Sequence, residues 1–147
     1  MNPIRILIVD DHPIVRQGIR SLLSNYAEFK IVAEADNGPD ALRSFQQHRP
    51  DITLLDIRMP NESGLTLLNQ IRTLDPEAKV IMLTSFDDSE YVLTALRAGA
   101  KGYVLKGISD DMLVHAIRAA NRGEKVLSPQ VTEQVVQWAI SEDTAVH

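Results

Sequence analysis

The chain has 147 residues, 44% hydrophobic and 24% charged, the proportions of an ordinary globular domain able to bury roughly two-thirds of its unfolded surface. Its 15 lysines and arginines stand against 20 acidic residues, and a net charge of −5 argues against whole-surface attraction to nucleic acid or anionic lipid. Having no cysteine, it holds neither disulfides nor thiolate metal sites; its longest early apolar run, Ile6–Val9, is too short for a signal peptide or membrane span, so a cytoplasmic domain is expected.

Strand-length apolar runs alternate with helically spaced ones along the chain. Ile4–Val9 reads as a first strand, followed by Asp10 and Asp11; Pro13 then suits the start of a helix on which Ile14/Val15, Gly18/Ile19 and Leu22/Leu23 recur. Ile31–Ala35 reads as the second strand, and Pro39 opens a helix with Ala41, Leu42 and Phe45 on one face. The third strand, Ile52–Leu55, stops on Asp56, ahead of a helix carrying Leu67, Leu68, Ile71 and Leu74. Val80–Leu83 runs into Thr84 and Ser85, and the next helix has a narrow stripe of Val92, Ala95, Leu96 and Gly99. Tyr103–Leu105 meets Lys106, and Met112, Leu113, Ala116, Ile117 and Ala120 line a fifth helix.

Strict alternation of strands and helices predicts an α/β fold, a five-stranded parallel sheet with helices on both faces and right-handed crossovers. Unbroken rather than alternating hydrophobicity in the strands fits a sheet covered on both sides. The common strand order for five such units is 2-1-3-4-5, with ligands bound beyond the carboxyl ends where the order reverses.

Read against that rule, the strand ends matter. Asp10, Asp11, Asp56, Thr84 and Lys106 would share one rim. Each has a structural explanation when taken singly. Asp10 or Asp11 could cap the first helix, Asp56 could cap a turn before Pro60, Thr84 could be a β-branched strand residue, and Lys106 could be solvated. None of these explains the convergence. Crowded carboxylates repel, and one is pushed toward protonation unless a cation intervenes. Oxygen ligands without sulfur suit a hard ion that keeps some of its waters, which points to Mg²⁺. A carboxylate beside a divalent cation and a lysine is an oxygen nucleophile placed for a phosphoryl group. Asp10, Asp11 and Asp56 would hold the metal, Lys106 would neutralise a phosphoryl oxygen, and the Thr84 hydroxyl would bond another.

The segments ILIVDDHP, LLDIRMPNESG, IMLTS and AGAKGYVLKG, in this order and spacing, resemble the receiver domain of two-component response regulators. The likeness runs from residue 3 to about 123 and is greatest to the NarL/FixJ branch, whose output is a LuxR-type helix-turn-helix. The resemblance implies a flavodoxin-like (βα)5 receiver fold over residues 1–123. It implies that Asp10 and Asp11 bind Mg²⁺ with Asp56 and the Arg58 carbonyl, that Asp56 is the phosphoacceptor, and that Thr84 and Tyr103 form the switch. A sensor histidine kinase, or a small donor such as acetyl phosphate, would supply the phosphoryl group. Phosphorylation would bias a two-state equilibrium at the fourth helix, fifth strand and fifth helix, controlling homodimerisation and a DNA-binding output domain in transcription regulation. Such a receiver is not an enzyme beyond its own phosphorylation and dephosphorylation. One departure is Gly107, which stands where many receivers have proline after the lysine, so a looser loop is expected and glycine gives no preference for a cis bond there. Arg58 and Phe86 occupy positions that in the family modulate phosphoryl hydrolysis.

Residues 124–147 read as a linker, with Ser128 and Pro129 starting a helix at about 129–141 on which Val131, Val135, Trp138 and Ala139 share a face. That helix either lies on its own receiver or contacts a second subunit or the output domain. No helix-turn-helix follows within this chain, so DNA contact is expected only through residues beyond it. Two rivals remain. A phosphatase with an aspartyl nucleophile often places two acids two residues apart after the first strand, whereas here the pair is adjacent. A pseudo-receiver usually lacks the acidic pair or the phosphoacceptor. His12, His48, His115 and His147 show no ligand spacing, and His12 is expected to help start the first helix.

Overall fold

The computed structural model describes residues 2–59, 62–84 and 89–146. Strand β1 (Ile4–Val9) leads into α1 (Pro13–Leu23), β2 (Phe29–Ala35), α2 (Gly38–His48) and β3 (Ile52–Asp56). A small pair of strands, β4 (Arg58–Met59) and β5 (Glu62–Ser63), precedes α3 (Gly64–Leu74). Then follow β6 (Val80–Thr84), α4 (Ser89–Arg97), β7 (Gly102–Leu105), α5 (Asp110–Asn121), β8 (Val126–Leu127) and α6 (Pro129–Val146).

The helix starts follow from side-chain chemistry. Asn37 accepts from the Asp40 N–H at the head of α2, Ser63 from Leu65 at α3, and Ser109 from Met112 at α5, each satisfying a donor the helix leaves unpaired. Helix α1 differs. Its N-cap is His12, with Pro13 next and no side-chain cap. The capping role open to Asp10 or Asp11 is therefore not taken up.

The main sheet is parallel and ordered β2-β1-β3-β6-β7-β8. Its first five strands follow the expected 2-1-3-4-5 order; the expected count of five is corrected to six, because Val126 and Leu127 pair with Gly102 and Tyr103. A strand of two residues is too short to carry periodicity, so a linker is all the sequence suggests there. Successive side chains of a strand point to opposite faces. Leu7 and Val9 therefore join one core with Phe45, Leu67, Leu68, Ile71, Tyr103 and Val131, under α2, α3, α4 and α6. Ile6 and Ile8 join the other with Ile19, Leu23, Leu113 and Ile117, under α1 and α5. Each such side chain, fully buried, contributes about 1.5–3 kcal/mol.

The start of α6 lies on its own domain, against α4 and β7, with Val131 fully buried. Farther along, Val136 and Ile140 are exposed. The α1 stripe also departs from expectation, since Ile14 is 82% exposed. Among the described residues no helix is long and apolar enough to cross a membrane.

Candidate functional site

Strand register builds the site. Val9 lies opposite Leu55, so Asp10 and Asp56 leave adjacent strands side by side; Asp56 itself pairs with Leu83, and Thr84 with Leu105, one residue before Lys106. Asp10 and Asp56 are both buried. Lys106 Nζ stands 2.8 Å from Asp10 Oδ2 and 3.1 Å from Asp56 Oδ2, bridging the two acids. The Arg58 N–H donates to Asp56 Oδ1 at 3.2 Å, and an Arg16 guanidinium nitrogen donates to the Asp10 carbonyl at 2.5 Å. Behind Asp56, α3 begins with no room to spare. Gly64 N–H donates to the Ile57 carbonyl at 2.7 Å, and a Cβ on Gly64 would stand 2.2 Å from the Asp56 carbonyl oxygen.

Burial pushes the Asp56 carboxyl above its ordinary range, as does the charge on Asp10; the Arg58 N–H and the Lys106 ammonium oppose this without cancelling it. For Lys106, burial pulls the ammonium down, but hydrogen bonds and charge from Asp10 and Asp56 outweigh it and hold the group above its usual value. The lysine therefore stays charged, while burial makes the Asp56 carboxylate costly to ionise.

Asp10, Asp11, His12 and Asp56 each offer a ligand atom, all within 4.8 Å of one another. Asp10 Oδ2 and Asp11 Oδ1 are buried and accept no aligned hydrogen bond. Both have a cationic or donor neighbour by distance, Lys106 at 2.8 Å and His12 Nδ1 at 3.1 Å, so they are unaligned rather than isolated. Oxygens left in this state beside a buried carboxylate that is costly to ionise fit a hard divalent cation, and the donor set suits Mg²⁺.

The remaining sequence candidates fall around this centre. Arg58 lies in the β4–β5 pair directly after Asp56. Thr84 closes β6 on the same rim, with its backbone alone described. Tyr103 is fully buried in β7, in the same core as Val131. Ser85, Phe86 and Pro60 lie outside the described residues. Gly107 has φ 87°, a conformation that favours glycine, and no cis peptide occurs among the described residues. The sequence pointed to His12 only as a helix start. Its ring in fact joins the acids, with Nδ1 3.0 Å from Asp10 Oδ1 and 3.1 Å from Asp11 Oδ1. Adjacency to the acidic pair was the one signal available for it.

Comparison with known proteins agrees with this geometry. Residues 6–118 match the response regulator receiver domain family. The oxygen regulatory protein NreC of Staphylococcus epidermidis is 38% identical over 139 residues, covering 94% of this chain and 64% of its own length. The chain thus spans a little under two thirds of that curated relative. The crystal structure of a two-component response regulator of the LuxR family from Aurantimonas sp. SI85-9A1 superposes with a TM-score of 0.90 at 34% identity, covering 95% of this chain and 99% of the other. The structure of two RcsB dimers bound to two parallel DNAs gives a TM-score of 0.84 at 26% identity, covering 91% of this chain and 68% of the other. With the doubly wound sheet, the acids gathered at its switch point and a family match over most of its length, this chain belongs to the response regulator receiver domains, among the LuxR- and NarL-type regulators of two-component systems.

Proposed function

We propose that Asp56 is the phosphoacceptor of this receiver. The observation that carries the reading is the ionic bridge from Lys106 to both Asp10 and Asp56, which makes Asp56 a buried carboxylate with a cation at hand and a second cation's place beside it. A carboxylate oxygen of Asp56 attacks the phosphorus of the donor, the new O–P bond forms as the bond to the donor breaks, and the donor leaves as histidine imidazole or as acetate. Asp10, Asp11, Asp56 and the Arg58 carbonyl would hold Mg²⁺, which supplies charge neutralisation to the phosphoryl oxygens. Lys106 neutralises the developing charge from the other side, at no cost in rearrangement because it already stands there. Thr84 is assigned the hydrogen bond to the bound phosphoryl group; Tyr103, the other switch residue, is already inward and fully buried here, so its part is to hold the inward position rather than to reach it.

In this reading the donor is a sensor histidine kinase or a small phosphodonor. The phosphoryl group carries about −1.5 to −2 where the carboxylate carried −1, and this change, with its new acceptor oxygens, shifts a two-state equilibrium that controls homodimerisation. DNA contact in transcription regulation belongs to an output domain outside this chain, a reading supported by the DNA-bound RcsB dimers it resembles. The test is intact-mass analysis after incubation with acetyl phosphate and Mg²⁺, comparing the parent with Asp56→Asn. The parent gains one phosphoryl group and the variant none. An adduct at full yield in the variant removes Asp56 from the role, and multiple turnover on a free phosphate ester would make the protein a hydrolase instead.

A further inference from the structure

We propose that His12 is a positioning residue for the acid cluster, its imidazole N–H at Nδ1 fixing the Asp10 carboxylate for cation binding. The identity of the cation, Mg²⁺, rests on the function proposed above. Asp10 Oδ1 receives two groups from this one residue, the His12 backbone N–H at 2.8 Å and ring Nδ1 at 3.0 Å. Two donors on one oxygen fix the plane of the carboxylate and direct its other oxygen, Oδ2, toward Lys106 at 2.8 Å. The same ring nitrogen stands 3.1 Å from Asp11 Oδ1, so it lies between adjacent carboxylates that otherwise repel each other.

The ring has no packing role that would explain its placement, because the His12 side chain is 61% exposed. Its backbone, by contrast, is set. His12 is the N-cap of α1, and Pro13 fixes the chain direction immediately after it. With the backbone held, rotation of the side chain is the main freedom left, and the bond to Asp10 removes it. A ligand carboxylate oriented by an outer hydrogen bond binds metal more tightly than a free rotor; loss of such partners typically lowers affinity about 10–100-fold. Because this ring is half in solvent, the low end applies. The arrangement also demands a proton on Nδ1.

The experiment uses the whole 147-residue chain. Mg²⁺ affinity is measured by titration calorimetry on the parent, His12→Phe and His12→Asn, with thermal midpoints recorded as a check on folding. Phenylalanine keeps a flat ring and the backbone bond but has no donor, whereas the asparagine amide can present an N–H where Nδ1 stood. His12→Phe is expected to bind Mg²⁺ about tenfold more weakly, and His12→Asn to recover most of the loss. Nitrogen-15 NMR of the parent imidazole, without metal, is expected to show a proton on His12 Nδ1. The proposal is overturned by any of three results: His12→Phe binding as tightly as the parent or more tightly, His12→Asn losing as much as His12→Phe, or His12 resting as the Nε2–H tautomer. Failure of the function reading looks different, since a parent that binds no Mg²⁺ or gains no phosphoryl group on Asp56 is seen without any His12 variant, and the tautomer still decides the role of the ring.

Discussion

Gly64→Ala ties the stability of the fold to the chemistry of the site. An added Cβ would stand 2.2 Å from the Asp56 carbonyl oxygen, 2.7 Å from Ile57 Cα and 3.0 Å from the Asp56 carbonyl carbon. All three are backbone atoms, so no side chain can swing aside. Relief needs a shift of roughly 1 Å, and α3 cannot supply it by receding, because Leu67, Leu68 and Ile71 seat it fully buried in the core. The strain therefore falls on Asp56 and Ile57. Overpacking costs about 1–3 kcal/mol, against a gain of about 0.5–1 kcal/mol from stiffening the unfolded chain. The net loss is at most about 2.5 kcal/mol, a drop of up to roughly 5–10 °C in thermal midpoint. Displacing the acceptor by a fraction of that shift is expected to slow phosphorylation by acetyl phosphate and Mg²⁺ at least about tenfold. Gly18→Ala is the matched control, since its helical Cβ would meet nothing within 4 Å and the substitution is expected to stabilise. Scanning calorimetry and initial rates by intact mass check both variants. A Gly64→Ala protein that gains stability like Gly18→Ala and is phosphorylated at the parent rate refutes the reasoning.

Three further outcomes follow from the same geometry. Because burial holds the Asp56 carboxyl above its ordinary range, its contribution to stability is full below the unfolded value near pH 4 and is lost as pH rises through the folded value. Asp56→Asn is therefore expected to melt higher than the parent at neutral pH, with the difference closing near pH 4 in a melting series; a lower midpoint at pH 7 would contradict this. Lys106→Met strips Asp10 and Asp56 of their shared counter-ion, and urea unfolding is expected to show a loss somewhat below the roughly 3–5 kcal/mol of a fully buried pair, since the Lys106 side chain keeps 16% exposure. Saturating Mg²⁺ is expected to restore part of that loss, and an unchanged unfolding curve would count against the bridge. Val131→Ala, at a fully buried position of α6, is expected to destabilise the whole domain by about 1–2 kcal/mol, whereas an unaltered midpoint would mean the tail hangs free.

The rim of acids was legible because it depends on two coarse facts, where apolar runs stop and the order in which such strands pair. Asp10, Asp56 and Lys106 needed no finer information to be brought together. Contacts set by single side-chain torsions were not legible, and the His12 ring is one of these. Strand β8 escaped because two residues carry no period, and its partners Gly102 and Tyr103 lie more than twenty residues earlier. Ile14 misled for the opposite reason. It falls in the helical stripe of α1, but at the first turn, where the helix passes the rim and Ile14 lines a groove with Lys106, Gly107 and Ile108 rather than entering the core. The Gly64 contact was invisible because nothing in a glycine letter records what stands beside it.

The two margins of the sheet differ in kind. At one, β2 runs seven residues, but its register against β1 slips between Ile31 and Ala33, and it carries Lys30 and Glu34. At the other, β8 offers only two residues before α6 begins. A bent, charged strand and a very short one are both poor templates for a foreign strand. Uncontrolled stacking of copies through backbone pairing is thus disfavoured at either side.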